Sequence, residues 1–309
     1  MPGYSGVVGD EAGQEVAAGG WRLDRYVAEF LKLLSRSQVK TRALSARVNG
    51  KAVKISRPLF PGDRLELTWQ DPEPSDLLPQ DLPLDIIYED QRVVVVHKAQ
   101  GMVVHPGAGN AAGTLANALL YRRLKRGGSG DGLRPGIVHR LDKDTSGVII
   151  AAYDEEALAW LAGQFKERST RKTYLAIVRG TPAAPEGRIE TLIVRDKRDR
   201  KRFAVSASGG KTALTLYRVL RTWDGYALLL LRLKTGRTHQ LRVHLRHLGC
   251  PILGDPVYGT KDPRFPDATL MLHALRLAIR LPGHAGQTSF TAPLPPRFRA
   301  LLASLGKSR

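Results

Sequence analysis

The chain has 309 residues, 42% of them hydrophobic and 25% charged, which is the profile of a globular protein of about two domains. Its charge balance is unusual: 48 Lys and Arg against 29 Asp and Glu leave a net +19, a surplus that favours a polyanionic partner such as nucleic acid. The single cysteine, Cys250, excludes an intrachain disulfide and a multi-cysteine zinc site, and this fits a reducing cytoplasm.

Residues 1–20 are rich in Gly, Ala and Val and read as a loose, flexible tail. They carry Asp10, Glu11 and Glu15 but no Lys or Arg, so no secretory signal is expected there. No apolar stretch is long enough to span a bilayer, and no membrane partner is expected; "YALLLLRL" from Tyr226 has strand length. From Arg22, "RLDRYVAEFLKLL" sets Leu23, Tyr26, Val27, Phe30, Leu31 and Leu34 at helical spacing. A second helix is expected over "SQVKTRALSARV", with Ser35 and Ser37 as caps. Asn49-Gly50 in "RVNGKAV" is a type I′ hairpin signal, and "PGDRLEL" adds a turn and a strand.

This order of elements over residues 21–69 resembles an S4 RNA-binding domain, a small α/β module. The residues that carry the likeness are "RLDRYVAEF", "LSRSQVKTRAL", "RVNGKAVK" and "PGDRLEL". The expected second helix holds Arg36, Lys40, Arg42 and Arg47, and the hairpin holds Lys51 and Lys54. The resemblance implies that these cations lie along an RNA backbone. Without it they would read as a solvated face.

"QDPEPSDLLPQDLP", residues 70–83, is rich in Pro and acid and reads as an interdomain linker. Residues 84–309 then alternate strand-like runs ("DIIYED", "RVVVV", "GVIIAA", "TYLAIVRG", "ALTLYRVL", "YALLLLRL") with few helices, expected near 114–126, 154–168 and 239–248. That pattern is an α+β domain with a large, mainly antiparallel or mixed sheet.

"HRLDKDTSGVII", His139 to Ile150, packs Arg140, Asp142, Lys143 and Asp144 against the start of an apolar strand. Such charges are costly to desolvate unless they are paired. Taken alone, Asp142 could be a nucleophile, a general base, a metal ligand or a structural ion-pair partner. The wider stretch "RPGIVHRLDKDTSGVIIAA" is similar to the signature of the RluA-type pseudouridine synthases. "GMVVHPGAGNAAGTLANALLYR", "RKTYLAIVRG" and "LKTGRTHQLRVHLRHLGCPILGDPVYG" match the same family in the same order. With an S4 domain ahead of it, the arrangement resembles the branch that acts on large-subunit ribosomal RNA. One departure is Ala99, where the family has proline after the lysine; its loss should loosen that loop.

The resemblance implies an enzyme that turns uridine into pseudouridine without a cofactor. It implies that Asp142 is the catalytic carboxylate, that Tyr174 packs on the target base, and that Arg242 pairs with Asp142. It further implies that Arg140 enters the RNA where the base leaves its stack. The reaction breaks N1–C1′ and joins C5 to C1′, with no net redox change or hydrolysis. Two courses are open to the carboxylate: attack on the sugar or base, or removal of the C2′ proton. The expected partner is ribosomal RNA or a large-subunit particle, met by a cytoplasmic monomer. The alternative reading is a non-catalytic RNA-binding or ribosome-assembly factor built on a synthase-like domain. Metals fit poorly. His239, His244 and His247 cluster in sequence, but His239 does not share a helical face with the other two, and no His-Glu-x-x-His pattern is present. The run "RDKRDRKRF", residues 195–203, reads as a loop contacting RNA or as a solvated charge run.

Overall fold

The computed structural model describes the chain except residues 1, 10–19, 35–37, 40–43, 71–76, 108, 128–134, 197, 200 and 308–309. The chain divides into two compact units, Met1–Asp76 and Leu77–Arg309.

In the first unit, β1 (Gly3–Val7), β6 (Arg64–Thr68), β3 (Ser45–Val48) and β4 (Lys51–Ala52) form a sheet in that order, every pair antiparallel. Trp21–Arg22 (β2) pairs with Pro58–Leu59 (β5). The tail expectation fails for residues 3–8. They form an edge strand on Arg64–Thr68, and Val8 is buried; backbone pairing holds a segment whose composition alone suggested looseness. The first helix is shorter than its apolar spacing predicts. Leu23–Arg25 (α1) passes into a wider turn over Tyr26–Phe30, and Lys32 takes a left-handed φ of 51°. Five of the twelve residues of the expected second helix, 37 and 40–43, lie outside the described residues. Its last four residues, Ser45–Val48, are instead β3, because Ala46 and Val48 alternate into the core while Ser45 and Arg47 face out. The hairpin is as expected: Asn49 (φ 51°) and Gly50 (φ 76°) make the I′ corner between β3 and β4.

The second unit begins seven residues before the expected start at 84. Leu77–Pro83, half of the anticipated linker, is pinned to it: Asn117 Nδ2 donates to Leu78 O at 2.7 Å, and Gly113 N to Gln80 Oε1 at 2.7 Å. The remaining elements in chain order are β7 (Asp85–Glu89), β8 (Val93–Lys98), α2 (Leu115–Lys125), β9 (Ser146–Ala152), α3 (Glu155–Glu167), β10 (Arg171–Arg179), β11 (Glu186–Arg195), β12 (Phe203–Ser206), β13 (Lys211–Trp223), β14 (Tyr226–Leu233), α4 (Gln240–His247), β15 (Leu272–Arg280), β16 (Gln287–Thr291) and α5 (Pro296–Lys307). Among the described residues the strands make one sheet in the order β12-β11-β13-β14-β10-β15-β9-β8-β7, with β16 also on β15. Only the β9–β15 pair is parallel. The fold is α+β with a large mixed sheet.

The apolar runs in the middle of this sheet are buried on both faces. Val94 and Val96 of β8 join one core cluster and Val93 and Val95 the other, the period-two alternation of a covered strand. α2, α4 and α5 cover the first face through Leu115, Leu119, Leu241, Leu245, Phe298 and Leu305. α3 covers the second through Ala157 and Leu161. The three expected helices start near their expected bounds: Thr114 caps α2 in a capping box with Asn117, Asp154 caps α3 by accepting from Ala157 N, and His239 holds the N-cap position of α4 with no side-chain cap hydrogen bond. α5 was not anticipated; Pro296 at its first position and Phe298, Leu301 and Leu305 at helical spacing were the available signals. Among the described residues, no helix is long and apolar enough to cross a membrane.

Candidate active site

Residues 139–145 form an irregular loop that feeds β9, and they are tied down at both ends. His139 Nε2 accepts the Ile150 N–H at 3.1 Å, and its ring stacks on Phe165 of α3 at 4.6 Å. Burial pushes the His139 pKa down to about 3, so the ring is the neutral acceptor that this bond needs. Thr145 N donates to Asp142 O at 3.1 Å and closes a turn. At Gly147 (φ 121°) a Cβ would lie 2.2 Å from Ala274 O, so only glycine lets β9 run beside β15. On the other side, Lys143 O accepts from Gly101 N at 2.9 Å and from Lys98 Nζ at 3.0 Å. Lys98 is fully buried and also donates to Ala99 O and Met102 O, each at 2.8 Å. Burial pushes its pKa down to about 7, against the pull of Asp144 and Asp142. The buried Lys98 amine, with three carbonyl acceptors, thus fastens the segment that Ala99 was expected to loosen.

Asp142 emerges from this loop with its side chain 19% exposed. Arg242, 100 residues later, places Nη1 3.3 Å from Asp142 Oδ2. The guanidinium has a second and tighter partner. Its Nε and Nη2 each donate at 2.7 Å to the two oxygens of Asp255, which also accepts from Val257 N at 2.9 Å and Tyr258 N at 3.0 Å. Arg242 Cζ also lies 5.0 Å from the centre of the Tyr258 ring. Both members of the Arg242–Asp255 pair are buried. Burial works against each charge, but their mutual hydrogen bonds outweigh it: Arg242 is held above its usual pKa and Asp255 below. This fork fixes the guanidinium plane and leaves Nη1 free for Asp142. Arg242 therefore is not a surface cation, even though it lies on an amphipathic helix.

Tyr174 lies on β10, next to a bulge at Thr173/Tyr174 and opposite Leu231 of β14 and Ala274 of β15. It is buried, and burial together with the Asp142 charge raises its pKa. Asp142, Tyr174 and Arg242 line one pocket of about 420 Å3, within the range of small-molecule sites. Around it stand Arg140, Lys166, Arg168 and Lys234, exposed, and Lys172 and Arg237, half-buried. A carboxylate is thus held by a pre-oriented guanidinium and faced by an aromatic ring inside a cationic rim. Such a constellation can bind a flipped base and act on it as base or nucleophile.

The structure brings Asp142, Tyr174, Arg242 and Arg140 together. Arg36, Lys40 and Arg42 lie outside the described residues. Arg47, expected on a helix, is exposed on strand β3 of the first unit. His239 lines the pocket, whereas His244 is a core residue between Thr191 and Thr215, with hydrogen bonds of 2.9 Å to each and burial lowering its pKa to about 4. Among the described residues no group of three or more His, Cys, Asp or Glu is placed to hold a metal. Of residues 195–203, Arg195 ends β11 and Phe203 begins β12, where the two pair, and Lys197 and Arg200 lie outside the described residues. Sequence reasoning missed Asp255 and the anchoring role of Lys98. Asp255 lies inside a stretch that carries the resemblance and Lys98 just ahead of another, but nothing in their local pattern marks a buried charge.

The chain is similar to known proteins over most of its length. Residues 92–247 match the family described as RNA pseudouridylate synthase. The chain is 45% identical to the Ribosomal large subunit pseudouridine synthase D of Borreliella burgdorferi, over 93% of this chain and 90% of that protein. It is 40% identical to the protein of the same name from Zymomonas mobilis, over 93% and 94%. Among solved structures, Human RNA Pseudouridylate Synthase Domain Containing 4 aligns with a TM-score of 0.59 and 28% identity, over 72% of this chain and 93% of that one. On these matches and on the fold, the chain belongs to the RNA pseudouridylate synthase family.

Proposed function

We propose that this enzyme isomerises specific uridines of large-subunit ribosomal RNA, as the names of its relatives suggest, with Asp142 as the catalytic carboxylate. The observation that carries the reading is the fixed Asp142–Arg242–Asp255 array at the base of a pocket walled by Tyr174. A stacked base must leave the helix to reach that pocket, at a cost of a few kcal/mol. Stacking on Tyr174 returns about 1–3 kcal/mol, Arg140 fills the gap left in the RNA, and phosphate contacts from the rim supply the rest. Once the flipped base fills the pocket, water is kept from the intermediate. No metal or cofactor enters the scheme, since the N1–C1′ bond pair released to the base is used again when C5 joins C1′.

The first unit serves as an S4-type RNA anchor in this reading, with Arg36, Lys40, Arg42 and Arg47 on phosphates. The enzyme acts as a cytoplasmic monomer on ribosomal RNA or an assembling subunit. An RNA-binding factor without catalysis is disfavoured, because it has no use for a carboxylate held so specifically. Mapping pseudouridine in ribosomal RNA from cells with and without the gene tests the proposal. Sites missing from large-subunit RNA alone are expected, and an unchanged map of that RNA refutes the substrate.

A further inference from the structure

His239 has no part in the scheme so far, yet it lies in the pocket and is held in an unusual way. It takes a left-handed backbone conformation (φ 54°, ψ 17°) at the N-cap of α4 without using its side chain as a cap. That conformation is costly for a residue with a Cβ and suits Gly or Asn better. The strain aims the ring across the pocket. Nε2 points at Asp142 Oδ2 from 3.9 Å, beyond hydrogen-bond reach, while Nδ1 is 2.9 Å from Tyr258 Oη. Tyr258 is itself buried, and its oxygen already accepts the Phe203 N–H at 2.8 Å. The hydroxyl proton is therefore best placed on the His239 Nδ1 lone pair. The ring proton then sits on Nε2 and faces the pocket. Burial lowers the His239 pKa, which keeps the ring in this neutral form.

Resting on the reading of this pocket as the uridine site, we propose that His239, with its tautomer fixed by Tyr258, donates a hydrogen bond from Nε2 to a carbonyl oxygen of the target uracil as the N1–C1′ bond breaks. The chemistry gives that donor its use. Whether Asp142 attacks C1′, adds to the base, or removes the C2′ proton, an electron pair enters the uracil ring. Negative charge then grows on the carbonyl oxygens. A fixed neutral donor stabilises that charge more than it stabilises the resting base, so it acts on the rate and not on RNA affinity. The pair returns to C1′ from C5 as Asp142 leaves C1′ or the base, or returns the C2′ proton; the C5 proton is lost to solvent or Asp142, N1 takes up a proton from solvent, and the histidine ends as it began.

The test uses the full chain and transcripts of large-subunit ribosomal RNA made with uridine, 2-thiouridine or 4-thiouridine. His239→Gly removes the ring while suiting the left-handed backbone, and Tyr258→Phe releases the tautomer. Both should lower the single-turnover rate, His239→Gly by ~10²-fold, the scale of losing one such donor, with the Kd for RNA within about twofold, and added imidazole should restore part of the glycine variant's rate. Sulfur is a weak acceptor, so one of the two thio-transcripts should slow the wild type and should not slow His239→Gly further. A glycine variant within threefold of wild type, a wild type slowed by neither thio-transcript, or a glycine variant slowed as much as the wild type by the same thio-transcript overturns the proposal while Asp142→Asn stays inactive. An active Asp142→Asn removes the underlying reading and this inference with it.

Discussion

The Arg242–Asp255 fork is the part of the site most open to a quantitative test. In Asp255→Asn, Oδ1 can still accept from Val257 N and Tyr258 N. An amide NH2 then replaces the oxygen that receives Arg242 Nε at 2.7 Å. Two donors face each other, and a buried guanidinium loses its main counter-charge. Breaking a buried pair from one side costs about 3–5 kcal/mol. The pair is almost fully removed from solvent, so no discount for exposure applies. Arg242→Met should cost a similar amount by stranding Asp255. The double variant Asp255→Asn/Arg242→Met leaves no buried charge. It should therefore be more stable than the sum of the singles by at least ~2 kcal/mol. Activity should not recover, because Arg242 Nη1 is absent from the two methionine proteins and no longer held in place in Asp255→Asn. Urea unfolding with a pseudouridine release assay on the four proteins measures both quantities. Additive stability losses, or a double variant that regains turnover, would refute the claim that Asp255 acts by holding Arg242 for Asp142.

Three further outcomes are expected. Tyr174→Leu should lower kcat more than RNA affinity, since its contact is made only after the base flips; equal weakening toward RNA with and without the target uridine, in a binding assay, would make the residue structural. Stability should fall as the pH drops from 6.5 towards 4. Burial lowers His139 to about 3 and His244 and His273 to about 4 from the ordinary 6.5, so in this window the unfolded chain binds more protons than the folded one, and the loss by pH 5 is on the order of 1 kcal/mol or more for each histidine. A urea midpoint unchanged between pH 7 and 5 would contradict this. A chain beginning at Leu77 should fold and still modify uridine, with weaker binding to long ribosomal RNA and a shallower salt dependence; identical salt slopes for the two proteins would mean that the first unit is not an RNA anchor.

What was legible in the sequence follows from the range of the forces involved. The buried runs of β8, β9, β10 and β14 announce themselves as β-branched and aliphatic stretches. Thr114 and Asp154 mark helix starts through local hydrogen bonds, and Asn49-Gly50 marks its corner. β11, β12, β15 and β16 did not stand out, because their polar and apolar residues alternate less cleanly and the sheet places them through long-range pairing. β1 was missed for the same reason: a short edge strand is stabilised by its partner at Arg64–Thr68 and carries little signal of its own. At the site, Asp142, Tyr174 and Arg242 were named from the resemblance. The residues that hold them there were not, since a buried Lys98 under a loop and a buried Asp255 in a turn are paired by tertiary folding alone. His239 was weighed as a metal ligand. Its backbone strain and its tie to Tyr258 exist only in three dimensions.

The central claim is that Asp142 performs the isomerisation. Asp142→Asn keeps the shape of the side chain and an oxygen for Arg242 Nη1, and removes its charge and its ability to take a proton or a carbon. Pseudouridine formation in large-subunit ribosomal RNA by this variant should fall by more than ~10³-fold, the scale of removing an essential base or nucleophile, while its melting temperature and its Kd for the RNA stay close to those of the unaltered protein. Turnover within tenfold of the unaltered enzyme would contradict the account.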